Sequence, residues 1–306
     1  MTHTTNKGIT MTATITAKMV SELRAQTGAG MSDCKKALEE TAGSIEDAIK
    51  HLREKGVLKA AKRADRTAAE GLVGFANAAD LRSGTIVELN CETDFVARNE
   101  AFVKLSDDLA KAALAAKANT VEALNATKLG DATAEVAVQD MLSKMGEKIE
   151  VSSVYTMEGD VVSAYIHPPG KIGVLLSAKG ENLTDAGRAA VANALREVGM
   201  HVAAYAPRFL NEKSVDMKTL ELEKEIAANI LRGQGKAEEM IVKIVEGKMR
   251  SFCAENCLTL QAFAKNESMT VAAYVASEGK NAGATNVEIT GFQRVQVGAK
   301  AAESNN

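Results

Sequence analysis

The chain has 306 residues, of which 46% are hydrophobic and 25% charged, a composition typical of a soluble globular protein with room for about two domains. Its net charge of −3, its lack of tryptophan and its aromatic content of 4% disfavour nucleic acid as a partner. No apolar run reaches the roughly 18 residues of a membrane helix, and four scattered cysteines in a chain of this length favour a reducing cytoplasm.

Three short helices are predicted near the N-terminus. We expect residues 1–15 to form a flexible extension and residues 16–56 to form a small three-helix domain. The TGAG stretch separates the first two helices, Ser44 is expected to cap the third, and Gly56 to end it. A unit of this size is marginally stable alone and is typical of a docking module.

A basic segment follows at residues 57–70. Its cationic side chains are Lys59, Lys62, Arg63 and Arg66. A ribosome or nucleic-acid contact is one interpretation, but charge runs are more often solvated, so we favour a helical linker.

The next residues predict a first α+β subdomain over residues 71–150. Two strands in residues 71–92 flank a turn at Asp80–Gly84. In the second strand Val87, Leu89 and Cys91 share one face, and Ile86, Glu88 and Asn90 share the other. Helices are predicted over residues 99–118 and 131–148.

The same plan of strand pair and helix recurs about ninety residues later. Strands in residues 159–178 flank the turn Pro168-Pro169-Gly170, a helix follows at residues 184–204, and residues 287–297 return to strand character. Apolar stripes within residues 216–255 predict an inserted antiparallel helical hairpin. The fold class is therefore α+β, with two related core subdomains built on small antiparallel sheets. The second subdomain takes residues 151–215 and 256–298, and residues 299–306 are expected to be a disordered tail.

The sequence contains no phosphate-binding glycine loop and no nucleophile elbow. Cys253 and Cys257 have the i, i+4 spacing of two metal ligands on a helix, but no neighbouring histidine or cysteine pair completes a site, so we interpret them as buried apolar residues. A thiol enzyme that uses Cys91 beside a histidine is a second weak hypothesis, since Cys91 lies on an apolar strand face.

The segment ELNCETDFVARNEAF combines a strand end with an isolated phenylalanine. From the local pattern, Phe95 is more often a core residue, whereas the flanking Arg98, Asn99 and Glu100 favour an exposed tip. If Phe95 is core, the chain is an interaction module or chaperone whose three-helix domain binds peptides or a ribosomal surface.

Two long motifs carry a family resemblance. The stretch VSELRAQTGAGMSDCKKALEETAGSIEDAIKHLREKG resembles the N-terminal ubiquitin-associated-like domain of the bacterial elongation factor Ts family. NCETDFVARNEAF resembles the second signature of that family, and EGDVVSAYIH, MHVAAYAPRF and EITGFQRVQVG are similar to later family segments. The resemblance covers residues 16 to about 298, in family order.

This resemblance implies a guanine-nucleotide exchange factor for the translational GTPase elongation factor Tu, acting in the cytoplasm. Such a factor is not an enzyme, needs no cofactor and binds no nucleotide or membrane itself. It binds the GDP form of its partner, disturbs the Mg²⁺ and phosphate site so that GDP leaves, and is then displaced by GTP. The family uses the helical hairpin toward the partner or for self-association, which implies a dimer of heterodimers as one arrangement.

The resemblance also implies site residues. The segment that dislodges Mg²⁺ from the partner corresponds to Thr93, Asp94, Phe95 and Val96. The partner-binding positions correspond to Arg24, Met31 and His201. Met31 as a packing residue of the small bundle, and His201 as a capping or internally hydrogen-bonded histidine, are the alternatives. Ser32 stands where some members have methionine, and the C-terminal helix of longer members is missing from this sequence.

Overall fold

The structure, a computed structural model, describes residues 14–61 and 65–299, and of residues 56–61 the backbone alone. Most of the predicted extension, the predicted tail after residue 299, and Lys62 and Arg63 of the basic segment lie outside the described residues.

Three helices form the N-terminal unit: α1 (Ala17–Thr27), α2 (Met31–Glu40) and α3 (Ile45–Ala61). Thr16 caps α1 by accepting a 3.2 Å hydrogen bond from the Met19 N–H, and Ser44 accepts one from the Asp47 N–H at the start of α3. The apolar stripes meet in a small core of Val20, Leu23, Cys34, Ala37, Leu38 and Ala48. The backbone of α3 continues beyond the predicted end at Gly56, because helical hydrogen bonding outweighs the modest cost of one glycine.

The first core subdomain is built on a three-stranded antiparallel sheet with the strand order β1-β2-β5. Its elements are β1 (Glu70–Asn77), β2 (Ser83–Cys91), α4 (Asp94–Ala97), α5 (Glu100–Ala116), α6 (Val121–Asn125), β3 (Lys128–Leu129), β4 (Ala132–Thr133), α7 (Ala134–Met145) and β5 (Ile149–Glu158). The sequence analysis did not identify β5, which pairs with β2 in a ladder that ends at Cys91 and Ile149.

Helix α5 packs across β1 and β2, and its buried side chains Phe102, Leu105 and Leu109 form the centre of this subdomain. The close approach depends on Gly74, because a Cβ there would lie 2.4 Å from the Ser106 carbonyl oxygen. The N-terminal unit packs on the same subdomain through α3 and α7.

The second core subdomain repeats the plan with strand order β10-β7-β6. Its elements are β6 (Val161–His167), β7 (Ile172–Glu181), α8 (Asp185–Tyr205), β8 (Ala262–Phe263), β9 (Asn266–Thr270), α11 (Val271–Asn281) and β10 (Thr285–Gln296), with the hairpin helices α9 (Met217–Gly233) and α10 (Glu238–Asn256) inserted after α8. The predicted α+β fold class is confirmed. The sequence analysis did not predict helix α11, because its short apolar stripe lies in an Ala-rich and Gly-containing stretch.

The two sheets also pack against each other, so β2 is buried on both faces. Val87, Leu89 and Cys91 face the helices of the first subdomain, as the alternation predicts, while Ile86 faces the second sheet. This shared core contains Val73, Ile86, Val162, Ala164, Leu175, Val295 and Val297. A sheet covered on both sides is a rigid support for whatever follows β2.

The hairpin helices bury few of the apolar residues that predicted them. Ala227 and Leu231 of α9 are buried, but Leu222, Ile226 and Ile230 are 54%, 43% and 52% exposed. The i, i+4, i+8 spacing places these three on one unpartnered face of α9. Among the described residues, none of the helices combines the length and the apolar character that crossing a bilayer requires.

Candidate functional site

Phe95 has the most exposed large apolar side chain in the described part of the chain, with 81% of its surface accessible. It lies on α4, a single helical turn between the end of β2 and the start of α5. Burying an isolated phenylalanine is ordinarily favourable, so exposure of this extent in the free protein favours a contact surface. Of the two sequence interpretations, the exposed tip is the one that the structure shows.

The opposite side of α4 is anchored in the core. Val96 is 8% exposed and Ala97 is 4% exposed, and both pack in the cluster that contains Phe102 and Leu109. The predicted site segment therefore has two sides, since Phe95 projects into solvent while Val96 holds the turn to the subdomain.

Thr93 begins this turn and is bonded on every polar group. Its hydroxyl accepts a 3.4 Å hydrogen bond from the Val96 N–H and donates one of 2.7 Å to Glu147 Oε1. Its own N–H donates to Glu147 Oε2 at 3.0 Å. Its carbonyl oxygen accepts from Cys91 Sγ–H at 3.1 Å and from the Ala97 N–H at 3.2 Å. Sequence reasoning missed Glu147, because it lies 54 residues from Thr93 and no local pattern marks it.

Asp94 is half exposed beside Phe95 and forms an ion pair with Arg98, with 2.9 Å between Oδ2 and Nη2. The Arg98 side chain is 79% exposed, so the pair is solvated and contributes on the order of 0.5 kcal/mol or less to stability. Such a pair can be exchanged for a partner's polar groups at little cost, which keeps the Asp94 carboxylate available.

Cys91 lies directly beneath the turn and is fully buried. Burial, and after it the nearby Glu147 carboxylate, raises the pKa of the Cys91 thiol to about 12. Because the thiolate is the nucleophile, a thiol that stays protonated at neutral pH does not support the thiol-enzyme hypothesis. Its visible role is to donate a hydrogen bond to Thr93.

Two of the predicted partner-binding residues lie on the N-terminal unit, away from α4 in sequence and on separate elements. Met31 begins α2 and is 46% exposed, and Arg24 is exposed in the last turn of α1. Met31 is absent from the small core, so the structure does not bear out the packing alternative.

The comparisons with known proteins agree with one another. A sequence profile described as Elongation factor TS matches residues 92–299. A protein of Clostridium perfringens named Elongation factor Ts is 42% identical over 287 residues, which are 93% of this chain and 93% of that protein. One of the same name from Nautilia profundicola is 40% identical over 289 residues, which are 94% of each chain. The chain belongs to the elongation factor Ts family.

The elongation factor Ts profile spans the α4 turn and also His201, the third predicted partner-binding residue. His201 is only 1% exposed. Its Nε2 lies 2.8 Å from Gln261 Oε1, its Nδ1 accepts from the Ala264 N–H at 3.3 Å, and its ring stacks on Tyr205 with 4.6 Å between centroids. Burial lowers the pKa of His201, so the ring is neutral at pH 7.

His201 therefore resembles the internally hydrogen-bonded alternative in its geometry. Tyr205, which covers it, is 56% exposed and lies nearer to the solvent. Ala264, whose N–H bonds to His201, is exposed as well.

Residues 14–61 and 65–299 hold no group of three or more His, Cys, Asp or Glu side chains arranged to bind a metal ion. Cys253 and Cys257 are buried as expected, in a small cluster with Phe209 and Val215 at the base of the hairpin.

Proposed function

We propose that this chain is the guanine-nucleotide exchange factor for elongation factor Tu in translation elongation, and that it acts in the cytoplasm. It binds the GDP form of the GTPase, disturbs the Mg²⁺ and phosphate site, and is displaced by GTP after GDP has left. The chain needs no cofactor and does not itself bind nucleotide. The observation that carries this proposal is the exposed Phe95 on a turn anchored by Val96 and Thr93.

Phe95 acts as an apolar wedge. Its side chain meets water over 81% of its surface, so moving it between two elements of the partner gains about 2 kcal/mol. The turn that carries Phe95 rests on a doubly covered sheet, so the wedge is less free to yield than a flexible loop would be. The energy of burial is then directed into displacing the partner's elements.

Asp94 acts beside the wedge as a hydrogen-bond acceptor with a negative charge. It competes for the polar groups that organise the partner's Mg²⁺ site. Since Mg²⁺ demands near-ideal octahedral geometry, a displacement of about an ångström suffices to weaken its binding. Arg98 would release Asp94 in this step, and the solvated ion pair makes that release inexpensive.

Displacement by GTP follows from reciprocity. A protein that lowers the affinity of the GTPase for a nucleotide must itself be bound less tightly when that nucleotide is present. The same contact that expels GDP therefore makes the complex short-lived once GTP has entered.

The other predicted partner contacts contribute to binding affinity and do not displace elements of the partner. We assign Arg24 and Met31 to a separate docking contact, since both are exposed on the N-terminal unit and methionine adapts to varied surfaces. His201 supports the second subdomain's contact from inside, by holding Tyr205 and the loop at Ala264.

The test is the release of a fluorescent GDP from elongation factor Tu in a stopped-flow instrument. We expect this protein to accelerate release in a saturable manner at a fixed Mg²⁺ concentration, and to be antagonised by excess GDP. Release that stays at the intrinsic rate at saturating protein would contradict the proposed function. Binding without acceleration would favour the interaction-module hypothesis instead.

We also propose that two exchange complexes associate through the unpartnered face of α9, giving a dimer of heterodimers. Leu222, Ile226 and Ile230 form a continuous apolar stripe there. In analytical ultracentrifugation the wild-type complex should sediment as two heterodimers, and Ile226→Glu should reduce it to one without lowering the GDP-release rate. A single heterodimer with the wild-type chain at micromolar concentration would contradict this arrangement.

A further inference from the structure

We propose that Glu147 is a positioning residue for residues 93–96: its carboxylate sets the orientation of Thr93, and through Thr93 the direction in which Phe95 projects. This inference rests on the proposed function for its kinetic consequence, but its structural part can be measured on the free protein.

The register of β2 and β5 explains why Glu147 faces Thr93. The ladder ends with Cys91 opposite Ile149, so the next opposed positions are Glu92 with Lys148 and Thr93 with Glu147. At both positions a carboxylate takes the place of a backbone carbonyl. The Lys148 N–H donates to Glu92 Oε1 at 2.6 Å, and the Thr93 N–H donates to Glu147 Oε2 at 3.0 Å. The carboxylates of Glu92 and Glu147 therefore accept the hydrogen bonds that would extend the β2–β5 ladder, at the point where the backbone turns away to form α4.

The second bond from Glu147 decides how the cap works. A carboxylate can only accept, so the Thr93 hydroxyl must point its hydrogen at Glu147 Oε1, 2.7 Å away. A lone pair of the Thr93 hydroxyl oxygen is then left to accept from the Val96 N–H. Glu147 thus fixes both the rotamer and the hydrogen of the residue that caps α4.

A helix of one turn depends strongly on such fixing. Helices of four residues do not persist on propensity alone, because nucleation costs more than the few hydrogen bonds return. What holds α4 is the cap at Thr93 and the burial of Val96 and Ala97. Without Glu147 the hydroxyl is free to rotate, the cap weakens, and Phe95 samples directions that do not enter the partner.

The kinetic signature follows from where the affinity resides. Docking by the N-terminal unit and the second subdomain does not involve Glu147. Loss of Glu147 should therefore lower the maximal acceleration of GDP release more than it raises the concentration needed for half of that maximum. A change that only destabilised the fold would lower the fraction of folded protein. That would raise the total protein concentration needed for half-maximal acceleration, but the maximal acceleration at saturating protein, here called the plateau, would stay the same.

The experiment compares Glu147→Ala, Glu147→Gln, Thr93→Val, Thr93→Ser and the double variant Thr93→Val/Glu147→Ala. We expect Glu147→Ala to lower the plateau about tenfold, as the loss of a helix cap would, and Thr93→Val to do the same. Glu147→Gln should be intermediate, because glutamine keeps one oxygen that accepts from Thr93 but places an NH₂ group where the second oxygen accepted. Thr93→Ser should stay near wild type, because serine keeps the hydroxyl. The losses in the double variant should be less than additive, since both single changes remove the bond between the Thr93 hydroxyl and Glu147 Oε1.

The control is Glu158→Ala. Glu158 is the last residue of β5, the strand that begins two residues after Glu147, and it pairs with Lys117 through an exposed contact, so its loss should leave the plateau unchanged. Amide hydrogen exchange in the peptide that contains Val96 and Ala97 gives a second readout, independent of any partner. It should become about tenfold faster in Glu147→Ala and stay the same in Glu158→Ala.

An unchanged plateau in folded Glu147→Ala, or additive losses in the double variant, would overturn the proposal. If Glu147→Ala does not fold, Thr93→Val and Glu147→Gln decide the question by the same readouts. If the wild-type chain fails to accelerate GDP release but Glu147→Ala still speeds the local amide exchange, the proposed function fails and the positioning role of Glu147 stands.

Discussion

Replacing Phe95 with alanine should lower the maximal acceleration of GDP release by a factor of about 30, while the protein remains folded and still binds elongation factor Tu. The factor follows from the loss of about 2 kcal/mol of apolar burial that is gained only as the partner's elements separate. Affinity for elongation factor Tu should change much less than this maximum, because the docking contacts proposed for the N-terminal unit and the second subdomain do not use Phe95.

The stability of the chain should not depend on Phe95. With 81% of the side chain exposed, its removal creates no cavity, and the unfolding free energy should stay within about 0.5 kcal/mol of wild type. The measurement is a titration of stopped-flow GDP release that separates plateau from half-maximal concentration, together with thermal unfolding of the free protein.

Phe75→Ala provides the matched control. Phe75 is 44% exposed on β1 of the same subdomain but lies outside α4, so its loss should leave the plateau unchanged. Equal losses for Phe75→Ala and Phe95→Ala would point to general damage of the subdomain. A normal plateau for Phe95→Ala would remove the wedge from the mechanism.

The sequence predicts the elements whose apolar residues recur at a regular spacing or whose turns carry strong turn residues. Alternation in residues 85–91 marks β2, and the Pro168-Pro169-Gly170 turn marks the second strand pair. The sequence does not predict β5 because apolar and polar residues do not alternate regularly along it. Ser153 and Thr156 lie among apolar neighbours, and each forms a side-chain hydrogen bond to a residue of β2. Its pairing with β2 is a contact between distant residues, which a local pattern does not contain.

In the candidate site, too, local features can be predicted from the sequence, whereas contacts between distant residues cannot. A phenylalanine after a strand end is visible in the sequence, but whether it points inward depends on which side of α4 meets the core. Val96 and Ala97 take that side, so Phe95 is left outside. Glu147 and the burial of His201 depend on pairing across the fold, so only the structure reveals them.

Phe102 provides the opposite case, and its replacement by alanine should have the largest effect on stability. Phe102 is fully buried at the centre of the first core subdomain and lies seven positions after Phe95. It lies in the first turn of α5, which Asn99 caps by accepting a 2.9 Å hydrogen bond from the Ala101 N–H. The ring therefore lies where α4, α5 and the sheet meet.

Removing this ring should cost about 3–5 kcal/mol of unfolding free energy, since the apolar transfer term is lost and a cavity remains among well-packed neighbours. Urea titration followed by circular dichroism measures the loss, and Phe95→Ala measured in parallel supplies the exposed control. Because Val96 and Ala97 pack in the same cluster, the cavity should also loosen α4, so Phe102→Ala should exchange poorly even where it is folded. A loss as small as that of Phe95→Ala would show that the core around α5 closes over the missing ring, and would weaken the view that a rigid core directs the wedge.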